Sequence, residues 1–141
     1  MKTKRILSLL LVLCMLLSTA PISAFAEEIT AAEAAVIYLT VNNKGVIATD
    51  TEGGIMANRE VTVTDRDSNG YLTYDEALKA AHEAFNNEDG YIGGDYVTKL
   101  WGEQTSNILF FINNTGLTEG VGTSIISAGD RLTASLNKDE K

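Results

Sequence analysis

Twelve consecutive residues, Asp65-Arg66-Asp67-Ser68-Asn69-Gly70-Tyr71-Leu72-Thr73-Tyr74-Asp75-Glu76, carry oxygen donors at the first, third, fifth, seventh, ninth and twelfth places. A hard cation such as calcium needs roughly six to eight oxygens converging on one point, and a loop with this spacing supplies them. Asp65, Asp67 and Asn69 offer side-chain oxygens, Tyr71 its backbone carbonyl, Thr73 a hydroxyl or a held water, and Glu76 both carboxylate oxygens. Gly70 stands at the sixth place, where the chain turns sharply and a Cβ is disfavoured. Leu72 is aliphatic, as suits a residue aimed at a core. Three ligand carboxylates, with Asp75 adjacent, favour a divalent ion. All-oxygen ligation favours Ca2+ over zinc or copper, and magnesium's preference for a tight, water-rich octahedron makes it the poorer fit.

The segment matches the full pattern D-x-[DN]-x-[DN]-G-x5-E and so resembles an EF-hand calcium loop. Arg59 to Thr64 alternate polar and apolar side chains, so the loop is expected to be entered from a strand rather than a helix. The nearest second loop, around Asn87-Glu88-Asp89-Gly90, has Phe85 and Tyr96 where its first and last carboxylates belong. A single unpaired loop resembles the structural calcium sites of secreted modules such as dockerins. It lacks the paired helices that open in calcium sensors.

The elements around the loop belong to a chain of 141 residues with net charge −8. Lys2, Lys4 and Arg5, the apolar run Ile6 to Leu17 and Ala24-Phe25-Ala26 read as a secretion signal over 1–26. Its apolar run is short for a spanning helix, and no second one follows, so no stable membrane insertion is expected. The single Cys14 lies inside this signal, which leaves no cysteine for a disulfide. All Asp and Glu follow residue 26, so the remainder is more acidic than the whole. That surface repels nucleic acid and anionic lipid and suits a secreted, extracellular or cell-surface setting rich in calcium.

Residues 27–34 read as a flexible lead-in, 35–137 as a single domain and 138–141 as a loose, charged tail. Ile37, Leu39 and Val41 alternate with Val36, Tyr38 and Thr40 in a first strand. Asn42-Asn43-Lys44-Gly45 forms a hairpin loop to a return strand over 46–49. Val61 and Val63 mark a third strand. Leu78, Ala81 and Phe85, widened by Ala77 and Ala84, form the buried stripe of a helix from about Tyr74 to Asn86. Val97 to Trp101 reads as a short strand, Ile108 to Ile112 as a central strand, and Leu132, Ala134 and Leu136 as the last strand. The expected class is α+β, a small mixed sheet with one main helix packed on it.

Three blocks carry a further resemblance: Asp75-Glu76-Ala77-Leu78-Lys79-Ala80-Ala81; Trp101-Gly102 with Phe110-Phe111-Ile112-Asn113-Asn114; and Gly129-Asp130-Arg131-Leu132. In this order they resemble the β-grasp domain at the C-terminus of transcobalamin-like proteins, a module of bacterial secreted and surface proteins. The resemblance implies a β-grasp-like sheet and a role in binding or linking, while cobalamin binding does not carry over. The chain departs from that family in the loop before the helix and in a longer gap after Trp101.

His82, the one histidine, flanks the helical stripe and reads as a half-exposed surface residue. Trp101, Tyr91, Tyr96, Phe110 and Phe111 read as sheet core, with Trp101 and Tyr96 the most exposed. No nucleophile elbow, phosphate loop or zinc pattern is present. The expected function is a non-enzymatic calcium-binding module that contacts an extracellular protein or glycan. The alternatives are a small-ligand carrier using the aromatic and Gly-rich loops and, third, a small hydrolase using carboxylate pairs such as Glu60 with Asp65.

Overall fold

A computed structural model describes residues 34–138. The expected secretion signal lies outside these residues, as do all of the lead-in but Ala34 and all of the tail but Lys138. Strand β1 (Ala34–Asn43) alternates as expected: Ile37, Leu39 and Val41 are buried, and Val36, Tyr38 and Thr40 face the other way. Lys44-Gly45, both at positive φ, turn the chain into β2 (Val46–Ile47). The loop that follows returns as β3 (Arg59–Thr64), which pairs antiparallel with β1 from Ala34↔Thr64 to Leu39↔Arg59. Helix α1 (Tyr74–Phe85) comes next, ending at Asn86 as its cap.

After the helix, β4 (Lys99–Leu100) and β5 (Glu103–Gln104) form a separate two-stranded ribbon. Strands β6 (Ile108–Ile112) and β7 (Thr115–Gly116) flank the Asn113-Asn114 turn, again with both residues at positive φ. Strand β8 (Arg131–Leu136) closes the domain. The main sheet runs β2-β1-β8-β6-β7, with β3 on the same edge of β1 as β2. The first and last strands lie side by side and parallel, Tyr38↔Arg131 through Asn43↔Leu136, and the other pairings are antiparallel. This α+β arrangement, one helix on a mixed sheet with its terminal strands paired at the centre, is β-grasp-like, in line with the sequence.

The core lies between α1 and one face of the sheet. Ala77, Leu78 and Ala81 of the helix pack with Ile37, Leu39, Val61, Val63, Leu132 and Ala134. Burying each of these Leu, Ile and Val side chains stabilises by about 2 kcal/mol, and each Ala by less. Two expectations are corrected. Val97 to Trp101 is not one strand, because the chain reverses at Trp101-Gly102 in a two-residue turn with both φ positive. The Ile108 to Ile112 run is interior to the sheet but only partly buried, since its neighbour β7 is two residues long and Leu109 lies on the open face.

Candidate metal site

The loop joins β3 to α1, and each end is fixed by local chemistry. At the helix end, Thr73 is the N-cap. Its hydroxyl accepts from the Glu76 amide while the Glu76 carboxylate accepts from the Thr73 amide at 2.8 Å, forming a reciprocal capping box. At the strand end, the other Glu76 oxygen accepts from the Arg66 amide at 2.7 Å. One buried carboxylate therefore spans the loop's entry and exit, and each of its oxygens accepts from a loop amide. The Arg66 guanidinium pairs with Glu83 on the helix surface.

Within the loop, backbone N–H groups orient the remaining oxygens. Asp65 accepts from Gly70 at 2.8 Å and from Asn69 at 3.2 Å. Asp67 accepts from the Asn69 amide at 3.1 Å, and Asn69 Oδ1 from the Tyr71 amide at 2.8 Å. The Gly70 N–H, opposed in part by burial, holds the Asp65 carboxyl below its usual range, so the site presents carboxylate rather than acid. Gly70 takes φ +87, and Ser68 is also in the left-handed region, which gives the tight turn its shape.

The result brings one oxygen from each of Asp65, Asp67 and Glu76 within 4.8 Å of one another. The side chains of Asn69 and Thr73 border this cluster, the first at 2.9 Å from Asp67 and the second at 3.0 Å from Glu76. Tyr71 exposes its ring and enters the loop through its backbone. The donor set fits a hard divalent ion: all donors are oxygen, and three carboxylates converge. Asp75 is not a member of the cluster. It turns away to accept from Tyr91 Oη at 2.6 Å and the Gly94 amide at 3.0 Å, and it pairs with Lys79 at 2.6 Å.

The sequence reading missed His82, which is fully buried rather than half-exposed. Its Nδ1 bonds the Leu78 carbonyl at 2.7 Å, and its Nε2 accepts from the Trp101 amide at 3.0 Å. Tyr91 and Trp101 pack against its ring at 5.0 and 4.7 Å. Burial holds its pKa below the ordinary histidine value, so it stands as neutral imidazole. Helical periodicity places His82 beside the stripe but carries no sign of the ribbon that covers it.

The aromatic residues therefore divide. Tyr91 and Trp101 enclose His82, whereas Tyr96 is exposed and lines, with Phe110, a groove of about 620 Å³. Among the described residues, no helix is long and apolar enough to cross a membrane. No protein-family model matches the chain, and no curated protein matches it.

Proposed function

We propose that this protein is a secreted, non-enzymatic calcium-binding module of an extracellular or cell-surface protein. One ion held by Asp65, Asp67, Asn69, Tyr71, Thr73 and Glu76 fixes the junction between β3 and α1. The observation that carries this reading is the meeting of three carboxylates at a junction whose backbone already orients them. The ion would supply charge neutralisation there. The chain's own part is to hold the oxygens inward through the Gly70, Asn69, Arg66 and Thr73 amides.

An ion that binds only the native state stabilises it by mass action, about 2.7 kcal/mol at a hundredfold excess over the dissociation constant. The reading is structural because this is the one such carboxylate cluster among the described residues and because the helix it caps already packs on the sheet. Isothermal titration tests it directly. The expected result is one calcium per chain, with magnesium competing weakly; no heat of binding at millimolar calcium would overturn the reading.

A further inference from the structure

The groove beside β6 has an open strand edge for one wall. Backbone direction along β6 is set by three bonds. Asn137 N–H donates to Asn107 O at 2.9 Å and Asn113 N–H to Arg131 O at 2.8 Å, both toward β8, while Leu117 N–H donates to Phe110 O at 2.9 Å on the opposite side. Odd-numbered residues thus direct their main-chain groups to β8, and even-numbered ones toward β7. Strand β7 pairs only with Phe111 and Ile112. The Ile108 amide and carbonyl and the Phe110 amide are therefore directed into the groove that Ile108 and Phe110 line.

The groove has an apolar floor and an acidic rim. Val97, Val121, Ile108 and Phe110 contribute apolar surface, and Asp95 and Glu119 stand exposed at the edge beside Tyr96, which is 84% exposed. No Lys or Arg lines it. At roughly 3.4 Å rise, 4.8 Å strand spacing and 10 Å sheet depth, one extended residue fills ~160 Å³. A space of about 620 Å³ therefore matches a strand of about four residues.

We infer that this edge takes up an extended peptide segment of another protein, in which Lys or Arg alternates with apolar side chains, as an added strand beside β6. Main-chain bonds to Ile108 and Phe110 give the affinity, and alternate side chains give the selectivity. The basic residues meet Asp95 and Glu119, with the Tyr96 ring offering a face to a cation. The basic character follows from that rim and from the chain's net charge of −8. This inference does not depend on calcium.

Fluorescence anisotropy with three labelled hexapeptides tests it: Val-Lys repeated three times, its Val-Glu counterpart, and the Val-Lys peptide with alternate backbone amides methylated. The Val-Lys peptide is expected to bind saturably, and the other two at least tenfold more weakly. The double variant Asp95→Lys/Glu119→Lys changes only exposed side chains and should weaken the Val-Lys peptide at least tenfold with an unchanged melting curve. Tyr96→Ala, also at an exposed position, should weaken it severalfold. Undiminished binding of the methylated peptide would reduce the effect to bulk charge attraction and overturn the inference. So would full binding to the double variant, absence of saturation by the Val-Lys peptide, or its displacement by an uncharged oligosaccharide such as cellotetraose.

Discussion

The backbone amide of Trp101 donates to the imidazole Nε2 of His82 at 3.0 Å, and this bond holds a bulky residue at φ +52. A left-handed tryptophan costs of order 1 kcal/mol or more and persists only when its surroundings over-determine it. Here the His82 acceptor, the edge-on packing of the two rings and a bond from the indole Nε1–H to Thr49 O at 2.8 Å do so. The β4–β5 ribbon is thereby tied to the helix that carries Glu76.

Replacing His82 by Leu keeps bulk but removes the acceptor and leaves a part-buried N–H unpaired. The expected loss is about 1–3 kcal/mol, read as a lower denaturant midpoint with little change in m-value.

Acid should act at the same bond. Imidazolium cannot accept from Trp101, and burial holds the folded-state pKa of His82 below its unfolded value. The unfolded chain therefore binds the proton more readily. The contribution from His82 is complete above about pH 6.5 and is lost as pH falls from there toward the folded-state pKa. Comparing wild type with His82→Leu between pH 7.5 and 5 should show the larger decline in the wild type.

Gly93 is required by a close approach rather than by its φ. A Cβ there would stand 2.0 Å from Tyr91 Oη and 2.4 Å from Asp75 Oδ1. Gly93→Ala must therefore push apart the bond that anchors the segment after the helix to Asp75, at a cost of about 1–3 kcal/mol seen by chemical denaturation.

Tyr74 gives the opposite expectation. Its ring is buried edge-on to Phe110 at 5.4 Å, and among the described residues its buried hydroxyl makes no full hydrogen bond, only a weak contact with the Phe111 backbone. Deleting an unsatisfied polar group costs little, so Tyr74→Phe should leave stability within about 1 kcal/mol of wild type or raise it.

Much of the frame was legible because it follows from local rules. Alternation in β1, β3 and β8 and the spacing of Leu78 and Ala81 found the core, and the donor order from Asp65 to Glu76 picked out the three carboxylates that the fold brings together. Long-range choices were not legible. Nothing near Trp101 in sequence shows that its amide would meet a ring on α1, so Val97 to Trp101 read as one strand and His82 read as surface. Asp75 read as extra charge for the loop. Its pairing with Lys79 follows helical spacing, but its bond to Tyr91 depends on how the chain returns after the helix. The open edge of β6 depends on the shortness of β7, which the Asn113-Asn114 turn alone does not set.

If a bound ion stabilises the loop, Asp67 isolates that gain. Its exposed carboxylate accepts from Asn69 and acts on Asp65, all within the loop, whereas Glu76 also ties the strand to the helix. The most direct measurement is a set of thermal melts of wild type and Asp67→Asn in millimolar calcium and in EGTA. Wild type should melt at a higher temperature in calcium than in EGTA, and this shift should be at least halved in the variant. In EGTA the variant should melt at or above the wild-type temperature, because one of three crowded negative charges is gone. Coincident wild-type curves with calcium and with EGTA would contradict stabilisation by an ion.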